Sequence, residues 1–148
     1  MTFLKTFLTH RVIIVLFRVI IGAIFIWASL DKIAHASDFS RAIHNYRIMP
    51  VLTENIMAIS LPWLELLAGL FLIIGYRVRG AATVISALLM IFIMAITVAL
   101  LRGLDISCGC FDTQGGAKIG LDILFQDLLM LVMSGSIALA GPGQETRP

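Results

Sequence analysis

Charge is what this sequence has least of. Only 14% of its 148 residues are Asp, Glu, Lys or Arg, against roughly a quarter in an ordinary soluble domain. The formal net charge of +2 is too small to suggest a nucleic-acid partner, because such binding rests on a concentrated basic surface. Cysteine is scarce as well. Both copies sit in one tripeptide, Cys108-Gly109-Cys110, which excludes a multi-disulfide framework. There is no internal repeat and no low-complexity tract, and the length asks for one domain, residues 1–148.

In place of charge there is continuous apolar sequence. Hydrophobic residues make up 59% of the chain, and the mean hydropathy is +1.00. The apolar residues fall into four runs, at about 12–30, 55–75, 80–101 and 119–140. About 20 residues at ~1.5 Å rise cross a hydrocarbon core ~30 Å thick. Backbone polar groups cannot go unpaired in lipid, so helices are expected, and the runs are too long and too evenly apolar for barrel strands. The predicted fold is therefore all-α: an integral membrane bundle of four transmembrane helices in contact with lipid, with a disordered tail over 141–148.

The first run has one feature of a cleaved leader, a basic start at Lys5, His10 and Arg11 followed later by Ala34-His35-Ala36. Its apolar stretch is longer than the ~7–15 residues of a signal peptide, and Arg18 interrupts it. It is read as a retained span. Counting basic residues does not orient the chain: Lys5, Arg11, Arg77, Arg79 and Arg147 fall on one side, and Lys32, Arg41, Arg47, Arg102 and Lys118 on the other. Arg77 and Arg79 crowd a very short turn, and Lys5 and Arg11 flank the first span. This favours both termini on the cytoplasmic side, which puts the first and third loops outside.

The first loop carries Phe39, Ala42, Ile43 and Tyr46 at helical spacing, with Asp38, Arg41 and Arg47 polar. Ser37 or Asp38 is expected to cap this helix, Pro50 to stop it, and the helix to lie in the membrane interface. A merely solvated connector is the competing reading.

Four groups of residues carry candidate chemistry. Cys108 and Cys110 can close a small, easily reduced disulfide ring across one glycine, and so short a loop adds little stability. Arg102 and Lys118 lie in the same loop and would favour a thiolate, with Asp105 and Asp112 opposing them. A metal site is the alternative: His35 and His44 share a membrane face with Cys108 and Cys110, and two thiolates with two imidazoles suit zinc, while the thiolates alone suit copper(I). A third option is two ordinary interfacial cysteines.

Inside the spans, ionisable groups are costly and need partners or functions. Arg18 and Glu65 sit at depths an arginine side chain can bridge, so an Arg18–Glu65 pair joining the first two helices is expected. Asp122, Gln126 and Asp127 on the fourth helix are either proton relays or packing residues. Pro62 is expected to bend the second span, and Trp63 and Phe111 are pocket-lining candidates that could equally face lipid or core.

The chain resembles the MauE branch of the DoxX-like membrane proteins. The matching pieces are Arg18 with Gly22 and Phe25, Asp31-Lys32, Asn45-Tyr46 with Pro50, Leu61-Pro62-Trp63-Leu64-Glu65 with Gly69 and Gly75, and Cys108-Gly109-Cys110-Phe111. Asp112 departs from the pattern, where glycine is expected, and the fourth helix is more acidic than expected. The resemblance implies a four-helix inner-membrane protein similar to a maturation factor for a disulfide-rich subunit of methylamine dehydrogenase, working beside a thioredoxin-like partner. The DoxX side implies sulfur redox chemistry with quinone. By position, Cys108 and Cys110 would be the redox pair, with Arg18, Glu65, Lys32 and Tyr46 as supporting pocket residues.

Three expectations follow. The first is a thiol–disulfide oxidoreductase that exchanges with a thioredoxin-fold protein and with a quinone near Arg18, Glu65 and Trp63. The second is a soft-metal binder or transporter, and the third a non-catalytic assembly factor.

Overall fold

The computed structural model describes residues 2–106, 108 and 118–139, with residues 2–9 given by their backbone alone. The expectations placed on Gly109, Cys110, Phe111, Asp112 and the 141–148 tail lie outside the described residues. Among those residues there are five helices and no extended sheet: α1 Thr2–Ala34, α2 Ala36–Asn45, α3 Val51–Ile74, α4 Val78–Leu101 and α5 Leu121–Leu139. Four of them hold spans long and apolar enough to cross a bilayer, at His10–Ala34, Val51–Ile74, Val78–Leu101 and Leu121–Leu139. The chain is a multi-pass membrane protein.

The spans pack in sequence order, α1 on α3, α3 on α4 and α4 on α5, and α5 returns to α1 to close the bundle. The distribution of side chains is the reverse of a soluble protein's. Trp27, Leu64, Met94, Phe125 and Val132 point outward, while Arg18, Lys32, Glu65 and Asp127 are buried. Outward faces this apolar need lipid around them.

With lipid as apolar as leucine, helices associate through close backbone approach and shape. The α1–α3 contact shows how. Gly22 and Gly69 face each other so closely that a Cβ on Gly22 would lie 2.9 Å from the Gly69 carbonyl oxygen, and a Cβ on Gly69 would lie 2.9 Å from the Gly22 carbonyl oxygen. This crossing point fixes the register of every other α1–α3 contact. Between α4 and α5 the Ser86 and Ser134 hydroxyls meet at 2.8 Å. The turn joining α3 to α4 occupies only residues 75–77. Gly75 there takes φ 85°, and its N–H donates to the Phe71 carbonyl at 2.9 Å. A residue without Cβ closes a helix in this way at little cost.

Three boundaries differ from those expected. α1 does not stop near residue 30 but continues through Asp31-Lys32 to Ala34, and Lys32 turns into the bundle, where it finds a counter-charge. Neither Ser37 nor Asp38 caps α2: the residue before its first turn is His35, and no side chain caps it. Pro50 does not end α2, which closes at Asn45; it precedes the first turn of α3, where a fixed φ and a missing N–H do no harm. The apolar stripe of α2 is as expected, but Phe39 and Ala42 are buried against α3 rather than laid in lipid. α3 continues through Pro62, which is buried.

Gly22→Ala and Gly69→Ala are each expected to destabilise the bundle by about 1–3 kcal/mol through overpacking. Gly80→Ala, where an added Cβ meets nothing within 4 Å, should be neutral. Thermal unfolding in detergent micelles separates the three.

Candidate functional site

The Gly22–Gly69 crossing decides which charges can meet. α1 and α3 run antiparallel, and side chains on a helix lean toward its N-terminus. Lys32 lies on the α2 side of the crossing and leans back toward it. Glu65 also lies on the α2 side and leans toward Lys32. The two therefore converge: Lys32 Nζ donates to Glu65 Oε1 at 2.9 Å and to Oε2 at 2.8 Å, with both side chains 1% exposed. Phe39 and Phe92 present their rings to the same ammonium, with centroids at 5.2 and 5.3 Å.

The expected Arg18–Glu65 pair does not form. Arg18 is four residues from Gly22 and Glu65 four from Gly69, which in antiparallel helices puts them on opposite sides of the crossing, ~12 Å apart along the axes, and each leans away from the other. Arg18 Nε instead donates to the Leu72 carbonyl at 3.1 Å. Matching depth from the ends of the spans had left out the crossing point and the lean.

Asp127 completes the buried charge. It sits in the second turn of α5, 1% exposed, and neither carboxylate oxygen has a hydrogen-bond partner in the described structure. It faces a cavity of about 10 Å³ walled by Phe25, Ala28, Lys32, Glu65, Leu89 and Phe92, room for one water molecule. Of the other polar residues expected on α5, Asp122 and Gln126 are exposed.

Above this polar core lies the cysteine face. Cys108 is 8% exposed, and its neighbours are Tyr46, Ile96, Ala99 and Ile119. The Tyr46 hydroxyl donates to the Cys108 carbonyl at 2.9 Å, tying the end of α2 to the third loop. Burial pushes the Tyr46 phenol up to about 12, and Asp127, once ionised at high pH, adds to the shift. It therefore remains a donor throughout the neutral range.

The ends of the cysteine loop are clipped separately. Ile119 N–H donates to the Ile106 carbonyl at 2.9 Å, and Lys118 pairs with Asp105 at 2.8 Å. Arg102 Nη1 donates to the Arg47 carbonyl at 3.1 Å and reaches the Tyr46 carbonyl at 3.5 Å. Lys118 thus holds the base of the loop, and Arg102 holds the segment that follows α2. Beside Cys108 opens an apolar cleft of about 50 Å³, bounded by Phe39, Tyr46, Met49, Met57 and Phe92.

Trp63 is not part of either cavity. It is 55% exposed on the outer face of α3, the lipid-facing alternative. The histidines do not gather around Cys108. His35 Nδ1 lies 3.2 Å from Asp31 Oδ1 and His44 Nδ1 2.9 Å from Glu54 Oε2, and the described residues hold no cluster of three or more His, Cys, Asp or Glu placed to bind a metal. Glu54, just before the second apolar run, was not among the residues expected to carry chemistry. It is 3% exposed in the first turn of α3, where a carboxylate meets the positive end of the helix. Its sign in the sequence is Pro50 four residues earlier, with His44 closing the preceding helix.

Removing one partner of the central pair should be worse than removing both. Glu65→Gln takes the two hydrogen-bonded carboxylate oxygens from Lys32 and leaves its charge to a group not in hydrogen-bond contact with it, at an expected cost of about 3–5 kcal/mol. The double change Lys32→Met with Glu65→Leu should recover most of that loss in the same unfolding assay.

The family model for Methylamine utilisation protein MauE matches residues 10–140 of this chain. Among curated proteins, the Methylamine utilization protein MauE of Paracoccus denitrificans is 27% identical over 137 residues, 92% of this chain and 74% of that protein. That of Paracoccus versutus is 32% identical over 131 residues, 85% and 70% of the two chains. That of Methylorubrum extorquens is 30% identical over 117 residues, 78% of this chain and 59% of that protein. No solved structure matches.

Proposed function

This chain belongs to the MauE family, and from that premise we propose that it is a thiol–disulfide redox protein of the bacterial inner membrane, serving the maturation of a disulfide-containing protein in methylamine utilisation. Cys108 and Cys110 are its working pair, on the periplasmic side, with both termini in the cytoplasm. A thioredoxin-fold protein is its exchange partner.

The observation that carries this reading is the setting of Cys108. Its sulfur is not a free thiol, and the other cysteine in the sequence is Cys110, two residues away. Its backbone is held by a tyrosine from another element, and it borders an open apolar cleft at the end of a charged, buried core. A structural staple needs none of these.

Exchange proceeds by thiolate attack. A thiolate of the partner attacks one sulfur of the pair, opening the S–S bond into a mixed disulfide and releasing the other sulfur as a thiolate. The partner's second thiolate then attacks the mixed disulfide. The partner leaves oxidised, and this chain holds two thiols, having gained two electrons and, from solvent, two protons. The same steps run backwards when the partner is the more oxidising of the two, so relative potentials set the direction. A membrane quinone is the proposed electron partner: the apolar side chains of Phe39, Met57 and Phe92 beside Cys108, rather than Arg18 and Trp63, would hold its ring once the narrow cleft widens, and held there it would exchange two electrons and two protons with the pair. Tyr46 acts on Cys108 as a positioning residue: by holding the carbonyl it fixes which way the sulfur faces.

Cys108→Ser in membranes is expected to abolish exchange with a thioredoxin-fold dithiol, and one of the single variants Cys108→Ser and Cys110→Ser should accumulate the mixed disulfide on non-reducing gels. An unchanged exchange rate in Cys108→Ser would end the proposal. Tyr46→Phe should slow exchange while leaving the thermal stability within about 1.5 kcal/mol of the parent, the net worth of one hydrogen bond.

A further inference from the structure

We propose that Lys32, Glu65 and Asp127 form a buried proton-binding site, in which Glu65 balances Lys32 and Asp127 holds an exchangeable proton beside a single water molecule. Nothing in the thiol–disulfide reading requires this site, and it stands on different residues.

The case begins with counting charge. The groups facing the cavity come from every helix packed around it. α1 gives Lys32; α3 gives Glu65; α4 gives only Leu89 and Phe92; α5 gives Asp127. Tyr46, after α2, is near enough for its phenol to feel Asp127. Lys32 is engaged by both oxygens of Glu65, which balances the pair. A second ionised carboxylate would leave a net negative charge in a cavity walled by rings and aliphatic carbons. An isolated charge so placed is costly enough that the group takes up a proton instead.

The second observation is independent of that count. Both Asp127 oxygens lack partners although the residue is 1% exposed. An orphaned buried polar group calls for an unplaced water or a functional role. The cavity beside it, about 10 Å³, is large enough for one water, and its polar wall of Lys32, Glu65 and Asp127 offers that water the two to four partners it needs. A protonated Asp127 donating to such a water satisfies both. A metal cation is disfavoured because Lys32 already supplies the positive charge, and an organic ammonium ion is too large for a space of about 10 Å³.

The site has a consequence for the cysteine face, and this one step rests on the thiol–disulfide reading. Asp127 bears electrostatically on Tyr46, whose hydroxyl holds the Cys108 carbonyl, and Phe39 and Phe92 contact Lys32 while walling the cleft beside Cys108. Reduction of a disulfide takes up two protons, and a proton stored one layer below is placed to serve it.

The test is infrared spectroscopy of the full-length protein in lipid near neutral pH. A protonated carboxyl gives a carbonyl stretch well separated from carboxylate bands, and it shifts when the sample is moved to deuterated water. The expected spectrum contains this band, and incorporation of aspartate labelled with carbon-13 at the side-chain carboxyl moves it, which assigns it to aspartate without any substitution. Asp127→Asn, an isostere of the neutral acid, should lose the band and keep the parent's unfolding temperature. Glu65→Gln should lose it as well, because Asp127 then ionises to take over Lys32. No band in the parent protein, a band unmoved by labelled aspartate, or a band retained in Asp127→Asn or Glu65→Gln would each overturn the proposal. The Cys108→Ser, Cys110→Ser double variant should keep the band, so that failure of the cysteine reading and failure of the proton site remain distinguishable.

Discussion

The ion pair between Lys32 and Glu65 is the constraint around which the rest of the bundle is arranged. An ammonium inside a bilayer must find a counter-charge or leave, and Lys32 is two residues from the end of α1, where a long side chain could have snorkelled outward. It turns inward because Glu65 is waiting on the facing helix, at a separation fixed by the contact of Gly22 with Gly69. Once that pair is made, the other buried charges follow. Arg18, beyond the crossing, is left with a carbonyl. Asp127, brought in by α5, is left with no cation of its own. A pair of this kind is weak evidence for stability, since an apolar pair of similar volume often does as well. Its retention in a lipid-embedded core points to function.

The two cavities make one apparatus in two layers. The polar layer holds Lys32, Glu65 and Asp127, and the apolar layer holds Cys108 and its cleft. Phe39 and Phe92 belong to both, with their rings under the ammonium and their side chains lining the cleft. α2 is therefore more than a connector. Its buried stripe closes the bundle on the cysteine side, Phe39 covers the lysine, and Tyr46 reaches the cysteine backbone. Arg102, donating to the carbonyls that follow α2, ties the same segment to the end of α4.

The four spans were legible because the bilayer leaves composition little freedom: long apolar runs near 20 residues have one stable form there. The stripe of Phe39, Ala42 and Tyr46 was legible for a related reason, a helical period facing a single apolar surface. The resemblance added Lys32, which spacing alone had not singled out, and gave Tyr46 a place in the pocket as well as in the stripe. What the sequence hid is relational. A pairing of Arg18 with Glu65 is reasonable from depth alone and fails only when the glycine crossing and the backward lean of helical side chains are included. Lys32 reads as a stop signal until its counter-ion is known. Asp127 was visible as an acidic residue in a span, but its lack of a partner is a property of three helices at once. The cap of α2 was misread because Ser37 and Asp38 have the right chemistry one turn too late.

The central claim is that Cys108 belongs to a reversible disulfide on the periplasmic side of the membrane. Thiol labelling in intact cells tests it most directly, with a membrane-impermeant maleimide applied before and after mild reduction and read as a mass shift on the purified chain. The account predicts no labelling before reduction and modification at both Cys108 and Cys110 after it, without permeabilising the inner membrane. Labelling before reduction, or labelling that appears only once the inner membrane is breached, would contradict it.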